Sequence, residues 1–449
     1  MGGITDRKLP FPEGFLWGTT TAAHQVEGNN ANNDWWAFEH RQGAIWHGDH
    51  SGLACDWWRN AEADFDLVAA MGHNTHRLSV EWSRIEPEEG IFDPAAIARY
   101  REMLTGLHQR GIEPMVTLFH FSSPQWLARQ GGWRNPAVVG HFRRFVRHTA
   151  EQLGDLVRLW CTINEPNVYA SAGYLLGTHA PGEKNPRHCF QVLSHQLQAH
   201  AAAYRVIKAL DGNTQVGLVV NIIAFEPLDS GRVSARAARL VDYLFHGLAF
   251  RSVTDGKLGF PLGPGLATHG PLLDSVDFWG VNYYTRQRVS LQRQFLKPTP
   301  GAEVSDSGQS GPYGELYPEG MYRVLKRTAS LGKPIYITEN GLPDADDDQR
   351  PRYLLTHLAQ AQRAIAEGAD VRGYYHWSLM DNFEWAEGWA LRFGLIALDE
   401  KTQVRTPRRS AQLYTDIIRA NAIMPETVAA YAPEVMGDIF AASNAQHRP

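Results

Sequence analysis

Eight short apolar runs, rich in β-branched and aromatic residues, recur along this chain, separated by segments with helical spacing or loop composition. They lie at Phe15–Thr19, Thr75–Val80, Glu113–His120, Leu159–Asn164, Val216–Asn221, Phe278–Tyr284, Pro334–Glu339 and Tyr374–Leu379. Runs of this length and composition predict buried strands. Their alternation with helical segments predicts a parallel sheet with crossover helices, and eight strands fit a closed (β/α)8 TIM barrel. No linker and no repeat of 20–50 residues interrupts the pattern, so residues 1–449 are expected to form one barrel domain.

The helical pattern is clearest after the third run. Asn135 can cap a helix, Pro136 suits its first turn, and Gly154 ends it. Phe142, Phe145, Val146, Thr149 and Leu153 recur on one face, while Arg143, Arg144 and Arg147 are expected on a solvated opposite face. Two stretches, 29–56 and 286–320, have little periodicity and much Asn, Gly, Pro or Ser. Loops this long in a barrel are expected to build walls over the active-site mouth. The acidic run Asp344 to Asp348 reads as a solvated loop start rather than a metal site.

Composition narrows the function classes. Hydrophobic residues make up 43% and charged residues 20%, enough for a large core, and the net charge of −5 offers no basic stripe for nucleic acid. Three scattered cysteines, Cys55, Cys161 and Cys189, provide neither a disulfide framework nor a zinc cluster. No run of 18 apolar residues predicts a membrane span, and the start lacks a signal-peptide core. A cytoplasmic protein with no metal or cofactor is the expectation. The 14 tryptophans suit a pocket that packs sugar rings, and equally a large core.

Two runs end abruptly in a carboxylate beside an amide: Thr162-Ile163-Asn164-Glu165-Pro166 and Ile337-Thr338-Glu339-Asn340-Gly341. In a TIM barrel the catalytic residues gather at the C-terminal ends of the strands. Two facing carboxyls are the minimum equipment for cleaving a glycosidic bond. The other predicted strands deliver Arg77, His120, Asn221, Asn282, Tyr284 and Trp377 at or near the same end. None offers a Schiff-base lysine or a metal-ligand set, which argues against an aldolase or lyase. A Gly-x-Ser-x-Gly elbow is also missing from the sequence, which leaves serine hydrolysis unsupported.

With these motifs in order, the chain resembles glycoside hydrolase family 1, the β-glucosidase family. The resemblance runs from Phe15-Leu16-Trp17-Gly18 to Arg392-Phe393-Gly394-Leu395 and includes Gln25-Val26-Glu27-Gly28, Asn282-Tyr283-Tyr284 and the stretch Trp377 to Trp385. It implies a retaining, exo-acting β-glycosidase with Glu165 as acid/base and Glu339 as nucleophile. It further implies that Arg77 and Tyr284 hold the nucleophile and that Asn164 bonds the sugar 2-hydroxyl. Gln25, His120, Glu384 and Trp385 would grip the outer hydroxyls, with Trp377 under the ring and Phe121, Asn282 and Phe393 completing the sugar site. Asn221, Trp35 and the 286–320 loop are expected on the aglycone side.

The retained Glu384-Trp385 pair resembles members acting on unphosphorylated sugars, since an anion there would repel phosphate. Glu165, where related thioglucosidases have Gln, implies O-glycosides. One departure stands out: Phe121 follows His120 where many members have Trp. The missing indole N–H removes a hydrogen bond worth about 0.5–1.5 kcal/mol, which would relax discrimination among glucose, galactose and fucose. Transglycosylation through the same intermediate, and an inactive carbohydrate-binding barrel, are the rival readings.

Overall fold

Eight parallel strands close into a barrel in a computed structural model that describes residues 8–263, 272–289, 296–297, 313 and 315–441. The strands are β1 (Leu16–Thr20), β2 (Thr75–Ser79), β3 (Glu113–Phe119), β4 (Leu159–Asn164), β5 (Gln215–Asn221), β6 (Phe278–Asn282), β7 (Ile335–Asn340) and β8 (Val371–Trp377). Each pairs with its sequence neighbours, and β8 closes on β1 through Gly373↔Leu16 to Trp377↔Thr20. The predicted runs all became strands. The structure corrects several ends: Val80, His120, Tyr283, Tyr284, Ser378 and Leu379 lie just beyond their strands, and β8 begins three residues early. Of these, His120 and Tyr284 bring their side chains to Asn164 and Glu339, where the ladder stops and loops can form a mouth.

Helices alternate with the strands: α1 (Trp57–Ala70), α2 (Pro94–Gln109), α3 (Val138–Leu153), α4 (Pro186–Leu210), α5 (Leu248–Thr254), α6 (Pro318–Ala329), α7 (Arg350–Ala366) and α8 (Arg409–Ala420). In α3 the five periodic residues are all fully buried; Ala137, not Asn135, holds the cap position, and Asn135 Oδ1 accepts the Ala137 N–H at 3.0 Å just ahead of the helix. Burying such side chains stabilises by about 1.5–3 kcal/mol each for the larger apolar ones. The basic face is not uniformly solvated as expected: Arg144 Nε donates to the buried Glu86 carboxylate at 3.0 Å and its guanidinium lies over Trp126. A buried carboxylate needs such a partner.

Side-chain parity fills the barrel. Met115, Leu159, Cys161, Val219, Phe278, Tyr336 and Tyr375 form an interior cluster distinct from the larger core between strands and helices. Arg77 pairs with Met115, and two residues beyond Met115, Tyr336 and Tyr375 come Thr117, Thr338 and Trp377, so the apolar plug gives way to polar and aromatic groups toward the C-terminal end. The 29–56 stretch is not wholly irregular; it holds a helix at Asp34–Glu39, capped by Asn33. Of the 286–320 stretch, residues 290–295, 298–312 and 314 lie outside the described residues. The acidic run is only partly solvated: Ala345, Asp346 and Asp348 are exposed, whereas Asp344 and Asp347 are buried. Asp344 is fully buried and accepts the backbone N–H groups of Asp347, Gln349 and Arg350 at the head of α7.

Candidate active site

Both motif carboxylates sit where the ladder becomes irregular. Register shifts fall between Cys161 and Asn164 on β4 and between Ile337 and Glu339 on β7. Such irregularities re-aim a side chain that a regular strand would point elsewhere. Glu165 has φ 45°, a left-handed conformation, and heads the short helix Pro166–Ser171, whose first-turn proline needs no amide partner. Gly341 explains the end of the second motif. A Cβ there would overlap the Trp377 carbonyl oxygen, so only glycine lets β7 leave the barrel against β8.

Arg77 is the hub. It lies mid-strand on β2 rather than at the strand end, fully buried among inward-facing groups. Its guanidinium donates to Glu339 Oε1 at 2.5 Å, Asn164 Oδ1 at 2.7 Å and Thr117 Oγ1 at 3.0 Å. Tyr284 Oη donates to the other Glu339 oxygen at 2.6 Å. Glu339 is thereby fixed on both oxygens, each by a strong donor. Glu165 has a different setting. Asn221 and Asn282 donate to its Oε1 at 2.8 and 2.7 Å, and no cation pairs with it among the described contacts. Burial and the nearby Glu339 charge push its carboxyl up to about 8, against the two amide hydrogen bonds and the Arg77 charge. The two carboxyls thus have different electrostatic surroundings.

A second group gathers on one side. Gln25 Nε2 donates to Asn382 Oδ1 at 2.9 Å, the Phe383 carbonyl at 2.8 Å and Glu384 Oε2 at 3.3 Å. Its Oε1 is buried without a protein partner. Asn164 Oδ1 accepts from Arg77, which leaves Nδ2 to donate to His120 Nε2 at 3.1 Å. Burial, with the Arg77 charge, holds His120 well below the usual histidine range, so its ring is neutral. Its proton then sits on Nδ1, a donor with no protein partner. His120 stacks within 6.1 Å of Trp377 and 6.0 Å of Trp385, and Phe121 packs at 5.2 Å from Trp385. An unpartnered acceptor, an unpartnered donor and indole faces together suit a polyhydroxylated ring.

The profile of glycosyl hydrolase family 1 matches residues 7–423. The chain belongs to that family. It is 33% identical over 444 residues to β-glucosidase A of Thermotoga maritima, covering 92% of this chain and 98% of that one. It is 31% identical to a β-galactosidase of Pyrococcus woesei, covering 92% and 98%. The solved structure of a Thermotoga maritima β-glucosidase in complex with cyclophellitol superposes with a TM-score of 0.87 at 32% identity, covering 92% and 99%. This family 1 chain is therefore a glycoside hydrolase on a (β/α)8 barrel.

Most residues expected at the site of this family 1 hydrolase do meet there. Glu165, Glu339, Arg77, Asn164, Tyr284 and Asn282 share one hydrogen-bonded network, which His120 joins through Asn164. Phe393 is buried and reaches the network's edge through Tyr284, with ring centroids 6.3 Å apart. Asn221, half-buried, donates to Glu165, a contact not foreseen. Two expectations need correction. Trp35 is fully buried behind Trp385, 4.6 Å between ring centroids. Glu384 is not a ready anion: burial pushes it up to about 8, with the Glu339 charge adding to the effect of burial and hydrogen bonds from Tyr313, Trp377 and Gln25 opposing it.

Sequence reasoning missed Tyr313, whose hydroxyl donates to Glu384 Oε1 at 3.1 Å, because it stands in a stretch without periodicity. It also missed Asn382, which sits in the recognised Trp377–Trp385 motif and orients Gln25. The motif marked the stretch but not the contact.

Proposed function

We propose that this hydrolase is a retaining, exo-acting β-glycosidase for unphosphorylated β-D-glucosides, with activity on β-galactosides and β-fucosides. Glu165 is the acid/base and Glu339 the nucleophile. The observation that carries this reading is the split between the two carboxyls: one raised to about 8, the other gripped by Arg77 and Tyr284.

The chemistry follows in two displacements. Glu165, holding its proton, protonates the glycosidic oxygen while a Glu339 oxygen attacks the anomeric carbon. The C–O bond to the aglycone breaks, the alcohol departs with that proton, and the sugar is esterified to Glu339. Esterification removes the Glu339 charge, one of the two causes that raise Glu165. Glu165 becomes more acidic, stays ionised, and can take a proton from water as the oxygen attacks the anomeric carbon. The sugar leaves with retained configuration and both carboxyls return to their starting forms. Asn164 keeps one amide hydrogen for the sugar 2-hydroxyl after bonding His120.

Exo action is supported by the buried Gln25, Glu384 and Trp385, which wall off one end. Glu384 holds its proton at neutral pH before substrate arrives, and two donating sugar hydroxyls would favour its anion. A 6-phosphate would oppose that ionisation, which supports the preference for unphosphorylated sugars. The breadth of sugars rests on Phe121 and on the β-glucosidase and β-galactosidase among the relatives. The three free, buried cysteines support a reducing, cytoplasmic setting.

The test is hydrolysis of p-nitrophenyl β-D-glucoside, galactoside, fucoside and 6-phosphoglucoside by wild type and Glu339→Gly, with and without azide. An inactive variant that azide revives through an α-glycosyl azide is expected. Revival giving only a β-azide, or a fully active variant, would overturn the assignment.

A further inference from the structure

The wall segment after β1 brings together three residues far from any recognised motif. Glu39, His40 and His50 each offer a ligand atom, and these atoms lie within 4.8 Å of one another. The two imidazoles stack with centroids 4.3 Å apart and an interplanar angle of 18°. Both are exposed, whereas Glu39 is buried. His40 Nδ1 donates to the Trp36 carbonyl at 2.7 Å and lies 3.9 Å from Glu39 Oε1, which leaves the lone pair of the neutral ring on Nε2. Metal-binding histidines are held this way, one nitrogen to a carbonyl and the other bare. Glu39 Oε1 accepts from Ser51 Oγ at 2.9 Å, so the carboxylate is oriented by a neutral donor and keeps lone pairs to spare.

We infer that Glu39, His40 and His50 form a binding site for a late first-row divalent cation, with Zn2+ as its probe. Two imidazoles and one carboxylate select zinc, nickel or copper over magnesium and calcium, which prefer all-oxygen sets. Three such ligands leave a fourth position for water. Tetrahedral zinc holds its ligand atoms about 3.3 Å apart, so the site must tighten by about 1.5 Å. The two exposed histidine side chains supply that movement.

The site is wired to the sugar pocket. Glu39 Oε2 lies 3.4 Å from His24 Nε2. Asn33 Nδ2 faces His24 Nδ1 at 3.0 Å, which puts the His24 proton on Nε2, toward Glu39. His24 stacks on Trp385 at 5.9 Å and 12°. On the other side, Asp49 Oδ2 accepts the Trp389 backbone N–H at 2.8 Å and the His50 carbonyl accepts Trp389 Nε1 at 3.1 Å. A cation pulling on Glu39 and His50 therefore acts on both flanks of the Glu384–Trp389 turn, and its bound form has an altered KM.

Co2+ and Zn2+ titrations of the full chain test this, by visible absorption and calorimetry, for wild type, His40→Ala, His50→Ala and the double variant. One cation per chain is expected in wild type, at least tenfold weaker binding in each single variant and none in the double. Without metal, all variants should hydrolyse at the wild-type rate, which reports an intact fold; His50→Gln replaces any alanine variant that misfolds. Absence of binding at tens of micromolar Zn2+, or binding unchanged in the double variant, overturns the site. Zn2+ should change KM at least threefold in wild type, reversed by EDTA, and not in the double variant; an unmoved KM overturns the link to Trp385. The absorption readout is independent of the hydrolytic reading, so the two can fail separately.

Discussion

Removing the charge on Glu339 should drag the Glu165 pKa down, but not all the way. Burial is the largest cause of the raised value of about 8, and the Glu339 charge is the second. For carboxyls about 5 Å apart, as in a retaining site, an effective dielectric constant of about 20 gives a repulsion of about 3 kcal/mol. That corresponds to about two pKa units. Glu339→Gln is nearly isosteric and leaves Arg77 without its anion, which adds to the fall. The Glu165 carboxyl should therefore titrate near 6 in the variant, still above 4.5 because its burial is unchanged. The assay is ¹³C NMR of glutamate-labelled protein, with the Glu165 resonance assigned by Glu165→Gln. In wild type, kcat/KM should fall as pH rises through about 8, since the acid form protonates the leaving oxygen. A shift of less than about half a unit would falsify the electrostatic coupling of the pair. A fall to the ordinary glutamate value would show instead that burial is not the main cause.

Three further outcomes follow from the same contacts. Glu165 has a folded pKa above its unfolded one, so its contribution to stability is full below about 4.5 and is lost as pH rises through about 8; Glu165→Gln should gain on wild type in thermal melts across that window, by on the order of a few kcal/mol, and a gain that does not grow with pH would count against it. Tyr284→Phe deletes a 2.6 Å hydrogen bond to Glu339, the proposed nucleophile, a charge-assisted bond worth about 1.5–3 kcal/mol, so kcat/KM should fall about 10- to 150-fold, and a loss below threefold would refute the positioning role. Gly341→Ala forces a Cβ into the Trp377 carbonyl and should cost about 1–3 kcal/mol in denaturant unfolding; an unchanged midpoint would refute the close-approach argument.

Much of this protein was legible from the chain alone because barrel physics is local. Strands buried on both faces must be nearly continuous apolar runs, and the runs ending at Asn164 and within Glu339–Asn340 declared themselves that way. The two carboxylates, with Asn282 and Trp377, could be named because a barrel delivers strand ends to one mouth, whereas Arg77 works from the middle of its strand. What the chain did not reveal depends on contacts between distant segments. Arg77 reaches Glu339 across 262 positions, and Asn221 reaches Glu165 across 56. No pattern in Asp344 to Asp348 tells that Asp344 is buried as a cap. The charge state of Glu384 likewise followed from its burial beside Tyr313, a residue in a segment with no periodicity to read. Residue type and spacing determined which groups were available. Only closure of the barrel, by removing water and setting charge against charge, decided which carboxyl keeps its proton.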